Sequence, residues 1–301
     1  MKTRSFGGHP FRVSEIGLGC AGLSPFSRGM RFTTAQGIIG RSLERGVTFF
    51  DTADSYGAGW GERWLGRSLG AQRGDVVIAT KCGLPASVTG KFVSRAVPDT
   101  GWLTGLTSRA RGSRFSPSYI KLALEGSLRR LGTEYVDVLM LHNPPTDVLE
   151  IGGWAEAMDA LKRAGLVRTV GISARTPEDA ATAIREYGVD CIELELNART
   201  VSRAQPTLDI AAECGTAVIA RQVLGSGSLL NSVAAQLGKV SSVALKRDTA
   251  AALIQTVLEI PAVSVVLVGM LNVDQVEWNT APRELSLGFV ERVWNIARQV
   301  C

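Results

Sequence analysis

Eight short apolar runs punctuate the chain, and most are separated by segments with helical spacing. They are Ile16–Cys20, Val47–Asp51, Val76–Lys81, Val136–His142, Val167–Ser173, Cys191–Asn197, Thr216–Gln222 and Val263–Gly269. Runs of this length, bounded by turn residues, read as parallel strands buried on both faces. The intervening patterns predict helices over Thr33–Arg45, opening on a Thr cap, over a shorter Trp60–Leu69, and over Ser118–Leu131, which follows Pro117. Further helices are predicted over Pro177–Tyr187, after Thr176, and over Asp248–Ile260. Strand and helix alternating eight times with no break in composition predict a closed (β/α)8 TIM barrel, one domain over residues 1–301. A doubly wound open sheet would more naturally carry a Pro/Gly-rich boundary near the middle.

Two segments stand outside the repeat. Thr3–Phe6 and Phe11–Val13 flank Gly7-Gly8, which predicts a small hairpin capping the bottom of the barrel. Residues 82–117 lack clear periodicity and are too many for an ordinary barrel loop. They carry Lys91, Arg95, Arg109, Arg111 and Arg114 with Phe92, Trp102 and Phe115, and they follow the C-terminal end of a strand. The expectation is a long loop or lid over the functional face.

The net charge of +5 is a mild basic bias without the clustered Lys, Arg and aromatic residues of a nucleic-acid binder. It suits a nucleotide or an anionic small molecule. Cys20, Cys82, Cys191, Cys214 and Cys301 are odd in number and form no Cys-x-x-Cys, the usage of reduced thiols in a cytoplasmic protein. The first residues have no apolar core of signal-peptide length, and no stretch approaches the ~20 apolar residues of a membrane span. These features predict a soluble, cytoplasmic protein with neither membrane nor nucleic-acid partners.

Three of the runs lead to four proton-handling side chains. Asp51 ends one and Tyr56 follows it five residues later in FFDTADSYG; Lys81 ends DVVIATK and His142 ends VDVLMLH. A polar group at a buried strand end costs desolvation free energy unless it is paired or used. Several at the same end of consecutive strands imply a shared site, hence an enzyme. The residue types suit hydride transfer to a carbonyl, whose oxygen needs a proton. A Tyr hydroxyl supplies one if a nearby ammonium favours its phenolate, and a carboxylate holds the ammonium in place. Strand alternation turns Cys82 away from Lys81, toward the helices, as a packing residue.

With these residues in place, the chain resembles the aldo-keto reductase superfamily nearly end to end. The stretches that carry the resemblance are IGLGCAG, ERGVTFFDTADSYG, GERWLGRSLG, DVVIATK, SLRRLGTEYVDVLMLHNPP, GLVRTVGIS and VVLVGMLNVDQVEWN. The resemblance implies NAD(P)H-dependent reduction of an aldehyde, ketone or keto-sugar. Tyr56 would be the general acid, Lys81 and Asp51 would tune it, and His142 would hold the substrate oxygen. The small-molecule substrate is expected to be a carbonyl compound, anionic or a sugar. The alternative is a weakly catalytic regulatory or redox-sensing subunit on the same scaffold.

The cofactor side departs from the family pattern. The GxGxxG in Gly17-Leu18-Gly19-Cys20-Ala21-Gly22 lacks both the helix and the acidic residue of a Rossmann fingerprint. It reads instead as a loop that brings Gly19 close to cofactor or substrate. Members commonly use a Ser-Asn pair after the fifth strand and a Gln on the sixth; here Ser173 is followed by Ala174, and Glu193 stands for Gln. Arg221 stands where an aromatic ring often stacks, and a planar guanidinium can stack instead. The resemblance also implies cofactor contacts from Leu224, Gly269, Met270, Asn272, Gln275 and Asn279. Leu271 occupies the position that often carries an Arg for the 2′-phosphate, with Arg247 a possible substitute. NADP is the expected cofactor, with NAD possible.

Overall fold

A computed structural model describes residues 1–27, 29–84, 113–238 and 242–300. Two short strands, β1 (Thr3–Ser5) and β2 (Arg12–Ser14), pair antiparallel. The next eight are β3 (Ile16–Gly19), β4 (Phe49–Asp51), β5 (Val77–Cys82), β6 (Val136–His142), β7 (Val167–Ser173), β8 (Cys191–Glu195), β9 (Ala217–Arg221) and β10 (Val263–Gly269). They close into a parallel barrel in sequence order, β10 pairing with β3. The helices are α1 (Phe32–Glu44), α2 (Trp60–Leu69), α3 (Pro117–Leu131), α4 (Thr146–Ile151), α5 (Gly153–Arg163), α6 (Pro177–Tyr187), α7 (Val201–Cys214), α8 (Ser228–Leu237), α9 (Val243–Leu258), α10 (Val273–Thr280) and α11 (Leu287–Gln299). The predicted (β/α)8 barrel is the observed fold.

Strand alternation sorts the side chains into two layers. Phe49, Val77, Ala79, Val138, Met140, Cys191, Ile219 and Val265 point inward and form a barrel core with Phe6 and Val13 of the hairpin. Ile78, Cys82, Leu139, Leu141, Ile172 and Val266 point outward and pack with helix residues such as Ile38, Leu65, Ile120 and Leu124. The hairpin plugs the N-terminal end of the strands, as expected. The Phe6 ring lies 5.9 Å from that of Phe49, and the Gly8 amide donates to the Gly215 carbonyl at 2.8 Å.

Some boundaries differ from the sequence expectation. α1 begins at Phe32, not at a Thr33 cap; Arg31 is the cap residue and makes no side-chain cap bond. Phe32 is drawn into the helix by packing, its ring 5.9 Å from that of Trp64 and beneath the Arg67 guanidinium at 4.6 Å. α9 begins five residues before Asp248, because Ser242 caps it by accepting from the Leu245 amide at 3.1 Å. Residues 85–112, most of the long insertion and most of its basic residues, lie outside the described residues. Its two ends are described and they meet. Gly83 has φ +111°, and a Cβ there would lie 2.1 Å from the Phe115 ring, so only glycine fits beside this buried aromatic.

Candidate active site

Register brings the polar strand ends to one rim. Gly19 pairs with both Gly269 and Asp51, while His142 pairs with Ser173 and Ser173 with Glu193. Lys81 lies two residues beyond Ala79, the partner of Asp51, and pairs with Met140. Because the side-chain period is two, Asp51, Lys81, His142 and Glu193 all fall on the inward face, above the apolar layers. Tyr56 arrives from the turn after β4. There Gly57, Ala58 and Gly59 take φ of 55°, 53° and 85°, and a Cβ on Gly57 would lie 2.3 Å from Ser24. Ala58 holds the left-handed region without glycine's freedom, and strain of this kind clusters at functional sites.

Lys81 is the hub. Its ammonium is fully buried, donates to Asp51 and to the Thr52 carbonyl at 3.2 Å, and reaches the Tyr56 hydroxyl at 3.4 Å. A second carboxylate, Glu193, lies on its other side at 3.2 Å. Glu193 also accepts from Ser173 Oγ at 3.0 Å and faces Arg221 at 3.6 Å. The Arg221–Glu193 ion pair therefore forms, and Arg221 further donates to the Ala174 carbonyl at 3.1 Å. The His142 ring stands edge-on to that of Tyr56, centroids 5.8 Å apart. Its Nδ1 lies 3.3 Å from Ser55 Oγ.

The electrostatics differ from the simplest sequence reading, in which Lys81 lowers the Tyr56 pKa. Burial pushes the Tyr56 phenol well above its ordinary value; Lys81 pulls it down, and Asp51 and Glu193 push it up again. One ammonium does not outweigh desolvation and two carboxylates. Burial likewise lifts Asp51 above the usual carboxylate range, against Lys81 and with Glu193. For Lys81 burial favours the neutral amine, but Asp51 and then Glu193 more than restore the ammonium. His142 is held well below its ordinary pKa by burial, then by Lys81 and Arg221, and is neutral. The site at neutral pH thus holds a protonated phenol, an ammonium and a neutral imidazole. That set can donate a proton to an oxygen and stabilise the phenolate left behind.

Tyr56 and Asp51 open onto a cavity of about 620 Å³, within the range that holds small ligands and cofactors. Of the residues expected to touch a cofactor, Gly19, Glu193, Arg221, Leu224, Gly269, Gln275 and Asn279 line it. Ser173 sits behind Glu193 as its hydrogen-bond donor. Met270 is fully buried in the outer core, and Asn272 caps α10 by accepting from the Gln275 amide at 2.8 Å. Leu271 lines the cavity, as do Lys246 and Arg247 from α9 and Trp278 from α10. The Arg247 guanidinium lies 5.3 Å from the Trp278 ring, and its Nε has no hydrogen-bond partner among the described residues. Its lining combines glycines, where a ligand can approach the backbone closely, with the cations Arg221, Lys246 and Arg247. Asn231, Val243 and Lys246 had no sequence signal, since α8 and α9 reach the cavity only through the closure of the fold. Ser55 was legible in FFDTADSYG but carried no assigned role.

Comparison with known proteins agrees with this geometry. The model of the Aldo/keto reductase family matches residues 15–293. The uncharacterized oxidoreductase YqkF of Bacillus subtilis is 29% identical over 231 residues, 76% of this chain and 67% of its own length. The aldo-keto reductase yakc [NADP(+)] of Schizosaccharomyces pombe is 26% identical over 224 residues, 72% of this chain and 60% of its own length. The matched part of this chain thus spans about two thirds or less of these curated relatives. Among solved structures, the holo form of aldo-keto reductase AKR11C1 from Bacillus halodurans superposes with a TM-score of 0.77 at 26% identity, covering 100% of this chain and 97% of that one.

Proposed function

Given that this chain belongs to the aldo/keto reductase family, we propose that it reduces an aldehyde, ketone or keto-sugar carbonyl to an alcohol with NAD(P)H. One observation carries this reading. A single buried ammonium, Lys81, touches both Asp51 and the Tyr56 hydroxyl at the mouth of the cavity. The hydride is the chemistry a bound reduced nicotinamide supplies. Tyr56 gives its proton to the carbonyl oxygen, and Lys81 stabilises the resulting phenolate. Asp51 and Glu193 hold Lys81 in place, and neutral His142 orients the oxygen by donating a hydrogen bond.

NADP is the preferred cofactor in this reading. Lys246 and Arg247 in the cavity lining support it, since either can face a 2′-phosphate. Leu271, also in the lining, cannot. Leu271→Arg is therefore expected to shift the NADPH-to-NADH preference toward NADPH by roughly tenfold, one added charge-assisted hydrogen bond. Steady-state kinetics with both cofactors measure this, and an unchanged ratio would mean that Lys246 and Arg247 already saturate the phosphate.

The direct test adds NADPH or NADH to the purified protein while following tryptophan fluorescence, then supplies a panel of aldehydes, ketones and keto-sugars. Quenching followed by cofactor oxidation is expected. Quenching without turnover across the panel would favour the regulatory alternative, and no quenching would sink both.

A further inference from the structure

Ser55 stands one residue before Tyr56, and the reading above gives it no task. Its backbone is helical (φ −79°, ψ −20°), it is 8% exposed, and its hydroxyl lies 3.3 Å from Nδ1 of His142, itself 7% exposed. We infer that Ser55 is a positioning residue: it donates its hydroxyl proton to His142 Nδ1 and so holds the ring as the tautomer with its proton on Nε2. The inference rests on the proposed carbonyl reduction only for its purpose, since Nε2–H is then the donor that meets a substrate oxygen.

The argument is one of hydrogen-bond accounting. The groups acting on the ring are the Lys81 ammonium and the Arg221 guanidinium, both cationic, with the Tyr56 ring at its edge. Two cations and burial exclude a second proton, so one nitrogen is a donor and the other an acceptor. Which is which depends on the partner of the other nitrogen. If Nδ1 carried the proton, it would donate to Ser55 Oγ, and the buried serine would need a different acceptor for its own proton. Among the described residues, His142 Nδ1 is the partner recorded for that hydroxyl. The opposite arrangement satisfies the hydroxyl proton and the Nδ1 lone pair together, and an unmet buried donor is the costlier defect. It also directs the N–H away from Ser55, because the two ring nitrogens diverge. The remaining serine lone pairs are the lesser loss.

The chain has two histidines, His9 and His142, so the imidazole region of a long-range ¹H–¹⁵N spectrum is simple, and His9→Gln assigns it. In the wild-type protein without ligands, His142 is expected to show a protonated-type Nε2 and a bare Nδ1. Ser55→Ala should move the signals toward a mixture or toward protonated Nδ1, and Ser55→Thr, which keeps the hydroxyl, should restore the wild-type pattern. In the kinetic assay Ser55→Ala is expected to lower kcat/KM for the carbonyl by roughly tenfold, the scale of one hydrogen bond, with cofactor affinity unchanged. Ser55→Thr should recover it. A protonated Nδ1 in the wild-type protein overturns the inference outright, even if the variants do not fold. So does a Ser55→Ala spectrum identical to that of wild type. If the spectra behave as expected but no carbonyl is reduced, the reductase reading fails and the assignment of Ser55 stands.

Discussion

In the proposed reaction Tyr56 releases a proton, and desolvation of its phenol makes that release costly. Lys81 offsets part of that cost by favouring the phenolate, and without it the cost would rise further. Tyr56→Phe keeps the ring and its packing but removes the proton. It is expected to cut turnover by ~10²–10⁴ while leaving cofactor-induced quenching intact. Lys81→Met should do nearly as much, and Asp51→Asn less; wild-type turnover in Tyr56→Phe would remove the phenol from the mechanism. Two residues before Tyr56, Asp54 makes a separate prediction. It is half-buried, its Oδ1 has no hydrogen-bond partner among the described residues, and its pKa is raised to about 7 by desolvation and then by Glu62, against Arg130. The folded state therefore holds this proton more tightly than the unfolded chain. The associated stability is present below the ordinary carboxylate value of about 4 and is lost as pH rises through about 7. Asp54→Asn should stabilise the protein at about pH 8 by on the order of 2 kcal/mol, with the gain vanishing near pH 4. Urea denaturation across that range measures it, and a gain independent of pH would refute the cause.

Elements are tied together outside the barrel by buried carboxylates, each with more than one donor. Asp137 of β6 is fully buried and accepts from Arg73 at 2.9 Å, Arg168 at 2.8 Å and the Ile78 amide at 2.9 Å, linking β5, β6, β7 and the turn after α2. Glu62 of α2 does the same for Arg130 of α3 and Thr80 of β5, at 2.6 Å each. Asp137→Ala is expected to cost about 3 kcal/mol in urea unfolding, because a buried amide and two cations lose their acceptor. Asp137→Asn should cost less, since it still accepts from Ile78. β6 and β7 were legible to the residue, each run opening on a β-branched Val and ending on a polar residue before a turn or loop. β4 was not. The run from Val47 suggested five residues, yet the Val47 amide bonds back to Ser42 of α1 and the strand begins only at Phe49. A local pattern cannot tell a strand's approach from the strand itself.

At the scale of the whole molecule, the barrel separates stability from chemistry. The hairpin and its aromatic contacts close one end, and the polar strand ends gather at the other. Asp51, Tyr56, Lys81 and His142 could be read from the sequence because each ends or follows an apolar run. Other parts of the cavity wall could not, because Asn231, Val243 and Lys246 reach it from helices whose inward faces only closure defines. Met270 and Asn272, next to cavity residues in sequence, place their side chains in the core and in a helix cap. The contact between Gly83 and Phe115 has a different reach. It already joins the two ends of the insertion, so the stretch between them hangs from a closed base. Changing the length of such a stretch alters mainly loop entropy, about 0.6 kcal/mol per doubling. Replacing residues 86–112 with a short Gly/Ser linker should therefore shift Tm by no more than about 4 °C in a thermal melt. A collapse in Tm would mean that the barrel depends on the segment. On this arrangement the stretch is evolvable at low risk: lineages can lengthen, shorten or exchange it without disturbing the inheritance of the fold.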